Sequence, residues 1–214
     1  MTRQAIDETK TKALAGNSDA QFQLALYYYK GVPGMLMQDT AEAGRWLNFA
    51  AEHGSQKARV IIAGTAFLED SPEEARQRAL QWLEEGRAQH DVPSILVLAG
   101  LYERGRGVRA DAGTALSILK QDAALPEIAN ELGEIYFRGR LDQAVDYSLA
   151  MQYFEVAAEK NYPEGVKNVG KLYFLGRGRP KDCAKAYMYL KKAADLNDLH
   201  AIYDMGLQIG RAHV

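Results

Sequence analysis

Cysteine is almost missing from this 214-residue chain: Cys183 stands alone, so no internal disulfide is available. That absence suggests a reducing compartment. Histidine is scarce too, and His53, His90, His200 and His213 are scattered. None recurs with Cys, Asp or Glu at a ligand spacing, so no metal site is expected. No GxSxG, HExxH or paired-carboxylate motif stands out, and no catalytic residue is assigned. Cys183 follows Asp182 at a helix start, where a thiol pKa can fall. With no histidine near it in sequence, it is read as inert.

Charge of one sign is lacking as well. The 26 basic and 28 acidic residues leave a net charge of -2, which disfavours a dedicated nucleic-acid binder. Long apolar runs do not occur; ILVLAGLY at 95–102 falls far short of a membrane span. The opening MTRQAIDETKTKALAG has no apolar core of a secretory signal. The expectation is a soluble, cytoplasmic protein, or a periplasmic one if a signal peptide has been removed. At 47 % hydrophobic and 25 % charged, the composition is that of a globular chain with ample core material.

What the chain has in quantity is repetition. LALYYYKG from Leu24, LAGLYERG from Leu98, LGEIYFRG from Leu132 and VGKLYFLG from Val169 share one pattern. An aliphatic residue is followed by Gly or Ala, two residues, Tyr, two more, and Gly. Tyr28, Tyr102, Tyr136 and Tyr173 mark the register, and ARVIIAGTAFLED supplies a degenerate copy with Ala66 in the tyrosine's place. The successive intervals are 38, 36, 34 and 37 residues, the period of a helical-hairpin array.

Each copy has a second half with helical apolar spacing, such as Tyr153, Phe154, Val156 and Ala157. Gly54, Asn161 and Asn197 stand just past helix ends, where a left-handed conformation is tolerated. The small residue after the aliphatic one predicts close approach of the hairpin partner. The paired alanines at 50/51, 123/124, 157/158 and 193/194 predict the same toward the next repeat. The marker tyrosines are expected to plug the space between helices, each hydroxyl reaching a backbone partner.

These residues resemble the Sel1-like repeat family, relatives of the tetratricopeptide repeats whose pattern runs roughly LGxxYxxGxGVxxDxxKAxxWxxKAAExG. LAGLYERGRGVRADAGTALSILKQDAA and VGKLYFLGRGRPKDCAKAYMYLKKAADLN follow it well. The first repeat has Trp46 in the tryptophan position but departs in its loop, GVPGMLMQD. The fourth reads GRLDQ and lacks the second loop glycine. The second has lost its tyrosine and both glycines, which predicts a shortened loop. The resemblance implies an all-α, right-handed α-α superhelix (solenoid) of five hairpins over one domain, 1–214. Repeats are expected at about 16–54, 55–90, 91–125, 126–161 and 162–197, with a capping helix at 198–214.

GRG at 105–107 and 176–178 then reads as a turn. The first glycine ends a helix left-handed, the second permits the turn, and Asp111 or Asp182 caps the next helix. A phosphate loop would need a preceding strand and a Lys-Ser/Thr ending. Arg106, Arg140 and Arg177 each stand four residues after a tyrosine and predict an arginine ladder along one edge. They either bond loop aspartates such as Asp111, Asp142 and Asp182, or grip carboxylates of a partner. A nucleic-acid role would rest on this ladder alone.

In tetratricopeptide-type hairpins the first helix of each repeat lines a concave groove. The residue after each marker is Tyr29, Phe67, Glu103, Phe137 and Phe174, an aromatic stripe interrupted once. These rings are either groove anchors or packing beneath the loops and against the next repeat. Phe22, Asn130, Glu134, Lys167 and Lys171 are the neighbouring groove candidates. The expected function is a non-catalytic scaffold or adaptor gripping a protein or peptide, without cofactor, nucleic acid or membrane insertion. Family resemblance implies roles in signalling, envelope assembly and host interaction, and an alternative as an immunity protein neutralising a secreted toxin. A cell-wall-active enzyme using Glu103 or Glu134 is the reading from another class.

Overall fold

The computed structural model describes residues 2–67 and 71–196, and among these the secondary structure is helical apart from one isolated bridge, Val32 to Leu36. By contacts the chain divides into two compact units. One is Met1–Leu98 with Arg106–Val108, and the other is Ala99–Gly105 with Arg109–Val214. The proposed capping helix at 198–214 and Asn197 lie outside the described residues.

The first unit holds α1 (Arg3–Leu14), α2 (Ser18–Lys30), α3 (Thr40–Glu52), α4 (Gln56–Ala66) and α5 (Glu73–Ala88), and it takes in the start of α6 (Val92–Arg104). From α1 to α5 each helix packs on its successor. Helix α1 was not legible as part of any repeat. It buries only Ile6 and Ala13, and its end is tied down when the Gln21 amide donates to the Ala13 carbonyl at 3.0 Å. Ala50, Ala51 and Ala58 form a core of small side chains under Phe22, Leu47, Ile62 and Trp82. Residues 67–72 separate α4 from α5, a shorter link than the nine residues 31–39 between α2 and α3.

The second unit continues α6 and adds α7 (Ala112–Gln121), α8 (Pro126–Arg138), α9 (Tyr147–Glu159), α10 (Pro163–Leu175) and α11 (Cys183–Asp195). Its core joins Met151, Phe154, Val166, Val169 and Leu172. The small residues act as expected. A Cβ at Gly133 would meet the Phe154 ring on α9 at 2.5 Å, and one at Gly170 would meet Leu190 Cγ on α11 at 3.0 Å. A Cβ at Gly165 would meet the Ala157 methyl at 2.5 Å, so the alanine pair admits the next repeat. The pair at 123/124 does not do this. Helix α7 ends at Gln121, leaving Ala123 and Ala124 in the turn.

One backbone device recurs in four repeats. The N–H of Asp39, Asp111, Asp146 and Asp182 donates to the carbonyl of Tyr28, Tyr102, Tyr136 and Tyr173, at 2.8, 2.9, 2.9 and 3.0 Å. Each aspartate carboxylate then caps the helix it precedes. A carbonyl near a helix end has no intrahelical partner, and the aspartate N–H satisfies it while starting the next helix. The tyrosine's own carbonyl, rather than its hydroxyl, is therefore the backbone contact at each marker. The Tyr136 hydroxyl faces Lys120 instead, and that contact raises the lysine's pKa.

Left-handed residues follow the helix ends. Gly54 (φ +93), Asn161 (φ 57), Gly105, Gly107, Gly176 and Gly178 all have positive φ. The fourth loop lacks its second glycine and instead places Leu141 and Asp142 at φ 53 and 56. A non-glycine residue there costs about 1–2 kcal/mol. Burial of the Leu141 side chain, 8 % exposed, offsets part of that.

Candidate functional site

The first-helix face of the second unit gathers most of the residues singled out by the repeat pattern. Helix α8 carries Asn130, Glu131, Glu134 and Phe137, and α10 carries Lys167, Asn168, Lys171 and Phe174. On each helix, i,i+3 and i,i+4 steps keep these side chains on a shared face. Asn168, 8 % exposed, donates to Asn130 Oδ1 at 3.0 Å and to Glu134 Oε1 at 3.3 Å. The other Glu134 oxygen accepts from Arg138 Nε at 2.6 Å. Glu134, Phe137, Asn168 and Lys171 then line one narrow crevice floored by Phe154 and Leu172.

Beside it lies a second network. Arg140 presents Nε and Nη2 to the Glu103 carboxylate at 2.8–3.0 Å and Nη1 to Glu131 at 2.8 Å. Partial burial opposes the guanidinium's charge, but the bonds to Glu103 and Glu131 outweigh it and hold its pKa above the ordinary value. This is the fork geometry that suits arginine to carboxylates. Arg140 therefore does not use the loop aspartate Asp142. It ties the fourth loop back to the helix of the repeat before it, and Glu103 is committed to that contact.

Arg177 behaves differently. Its guanidinium carbon lies 4.7 Å from the Tyr147 ring centroid and 5.8 Å from that of Phe137. Lys171 Nζ lies 5.2 Å from the Phe137 centroid. The Phe137 ring also tilts against Tyr147, with centroids 5.5 Å apart. The loop glycine explains this placement. At φ +73 Gly178 brings its Cα so near the Tyr147 carbonyl oxygen that a Cβ would collide with it, and its neighbour Arg177 is laid on the Tyr147 ring. Asp182, the expected partner of Arg177, instead caps α11 and faces Lys185.

The aromatic stripe divides by burial. Tyr29 is 59 % exposed, whereas Phe67, Phe137 and Phe174 are half-buried. The Phe67 ring lies directly against Gly107, beneath a loop. Phe174 is covered by Lys181, whose Nζ is 5.4 Å from the ring centroid. Phe22, a groove candidate by spacing, packs on the Ala50, Ala51 and Ala58 core. Its position faces the following helices, where the all-alanine surface leaves room for a ring. Arg106 is exposed, and Lys167 is half-buried.

Sequence reasoning passed over Glu131, Asn168 and Tyr147. Glu131 and Asn168 occupy the same register, five residues before Tyr136 and Tyr173, and a polar residue at that position in both repeats was the available signal. Tyr147 follows the capping Asp146 and gave no sign of its role. Among the described residues no group of three or more His, Cys, Asp or Glu is placed to hold a metal ion. No helix among them is long and apolar enough to cross a membrane.

Comparison with known proteins matches this architecture. The Sel1 repeat model fits residues 18–55, 93–121, 126–162 and 163–198, leaving out the degenerate second copy. An uncharacterized protein of Neisseria meningitidis serogroup B is 24 % identical over 90 % of this chain and 32 % of its own length. A ubiquitin-ligase component of Arabidopsis thaliana, HRD3B, is 36 % identical over 38 % of this chain and 13 % of its own. The chain thus spans about a third or less of the curated relatives it matches. Among solved structures, a Sel1 repeat protein from Oxalobacter formigenes superposes with TM-score 0.69 at 22 % identity, over 95 % of this chain and 80 % of that one. An immunity protein from Pseudomonas aeruginosa, Pa5087, superposes with TM-score 0.57 at 15 % identity, over 89 % and 72 %. These likenesses establish an all-α repeat solenoid.

Proposed function

The chain belongs to the Sel1 repeat family, and from that premise we propose that it is a non-catalytic interaction module whose first-helix face on α8 and α10 holds a partner protein. Sel1 repeats mediate protein–protein contact, which sets the class of function. The observation that carries the finer reading is the locked polar surface of the second unit. Asn130, Asn168, Glu134 and Arg138 fix one another, as do Glu103, Arg140 and Glu131. Side chains already held in one geometry lose little entropy on binding, so such a face suits recognition of another surface. The carboxylates that an enzyme reading would use, Glu103 and Glu134, are both engaged in these networks.

A second reading, neutralisation of a toxin, is supported by the fold shared with two Pseudomonas aeruginosa immunity proteins. Affinity capture from a lysate of the source organism tests both. The bait is the wild-type chain beside Asn130→Lys/Glu134→Lys on α8 and a control, Gln152→Lys/Lys191→Glu, on the second helices. Matched helicity and melting are required of all three. The expected result is a partner lost by the α8 variant and kept by the control. Capture unchanged by the α8 variant, or lost only by the control, refutes this face. A captured secreted enzyme inhibited by the chain supports toxin neutralisation, and a partner without such activity supports an adaptor.

A further inference from the structure

Three of the six described arginines of the second unit form ion pairs with carboxylates. Arg138 has Glu134, Arg140 has Glu103 and Glu131, and Arg179 has Glu155. Lys171 and Arg177 have none among the described residues. Both are exposed, and the only charge or hydrogen-bonding contacts described for their side chains are with aromatic rings. Both lie against the Phe137 ring, Lys171 Nζ at 5.2 Å and the Arg177 guanidinium carbon at 5.8 Å from its centroid. The negative ring face answers part of each charge, and an anionic group would answer the rest.

The geometry also leaves the donors usable. The Arg177 guanidinium carbon lies 4.7 Å from the Tyr147 ring centroid, and its N–H groups have no described hydrogen-bond partner, so they can form a fork. Gly178 fixes that placement through its close approach to the Tyr147 carbonyl. Lys171 adds a compact point charge from α10. Glu131 and Glu134 stand on the adjoining helix face, so a polyanion laid along it would meet repulsion beyond the first contact. One small anionic group is matched; a run of phosphates is not.

We propose that Lys171 and Arg177, seated on Phe137 and Tyr147, form an anchor for an aspartate or glutamate side chain of the partner protein. This rests on the reading of the α8/α10 face as the partner surface and adds the chemistry of what it receives. Arg177 takes the carboxylate bidentately, Lys171 neutralises its second side, and the two rings exclude water from beneath.

The test is a titration of the full chain, followed by backbone amide NMR, with a blocked peptide Gly-Ser-Asp-Glu-Asp-Ser-Gly. Its uncharged counterpart Gly-Ser-Asn-Gln-Asn-Ser-Gly and a thymidine hexanucleotide are the parallel probes. The acidic peptide is expected to move the signals of residues 137, 147, 171 and 177, and Lys171→Gln/Arg177→Gln to weaken binding at least about tenfold. Lys191→Gln serves as the folded charge control and should leave binding unchanged. Equal shifts from the uncharged peptide, no shifts from the acidic one, or undiminished binding by the double variant overturn the anchor. Tighter binding of the hexanucleotide overturns the carboxylate assignment. Should the α8 variant lose its captured partner while Lys171→Gln/Arg177→Gln retains it, the anchor fails and the partner face stands.

Discussion

Replacing Gly178 by alanine probes how one loop builds the candidate site. Two costs arise at this position. The backbone sits at φ +73, where an L side chain costs about 1–2 kcal/mol. The new Cβ would also collide with the carbonyl oxygen of Tyr147 at the start of α9, which is backbone and cannot rotate away. Relieving that overlap requires the loop or helix end to shift, about a further 1–3 kcal/mol. The lowered entropy of the unfolded chain returns about 0.5 kcal/mol. A net loss of about 3 kcal/mol is expected.

Gly34→Ala supplies the internal standard. Gly34 has φ +71, yet nothing lies within 4 Å of the position a Cβ would take. It carries the conformational term alone, for a loss of about 1 kcal/mol. Urea unfolding followed by far-UV circular dichroism measures both. Tryptophan fluorescence reports separately on the unit containing Trp46 and Trp82. If Gly178→Ala costs no more than Gly34→Ala, the close approach to Tyr147 is not what the loop glycine serves. The placement of Arg177 would then lack its stated cause.

Removal of the buried Phe154 ring, 1 % exposed, should cost about 3–5 kcal/mol in the same urea assay, whereas Phe154→Leu loses less and admits Gly133→Ala. Arg140→Ala should cost about 1–2 kcal/mol after solvent screening. Arg140→Lys should recover little of it, because a point charge cannot reproduce the fork to Glu103; full recovery by lysine would refute the bidentate reading. Burial raises the phenol pKa values of Tyr162 and Tyr189, with Glu164 and Tyr173 respectively among the further causes. Folding therefore favours their neutral forms: the stability they confer is complete below about pH 10 and falls as pH rises toward their higher folded values. Absorbance titration near 295 nm of Tyr162→Phe and Tyr189→Phe, beside wild type, should lose the late-ionising phenols.

The hairpin array was legible because its causes are local. A tyrosine, a loop glycine and a capping aspartate recur at near-constant spacing, and each fixes a helix end through its own backbone chemistry. The degenerate second copy was also visible, having lost its tyrosine and both glycines. Helix α1 was not, since two buried residues in twelve give too weak a periodicity to mark it. The fourth loop kept its shape by an unexpected route, with buried Leu141 and exposed Asp142 adopting the left-handed conformation expected of glycine.

The sequence alone determined the repeat, its register and the positions that one helix face shares. Periodicity is a property of the chain and needs no neighbour to be read. Tertiary structure alone decided what those positions do. Arg140 and Arg177 are equivalent by register, yet one is spent on Glu103 and Glu131 while the other lies on the Tyr147 ring. Phe22 and Tyr29 both looked like groove residues, yet one fills a core of alanines and the other faces solvent. A side chain's role depends on which partners packing brings within a few ångströms, and those partners stand far away in sequence, 37 residues for Glu103 from Arg140 and 38 for Asn130 from Asn168.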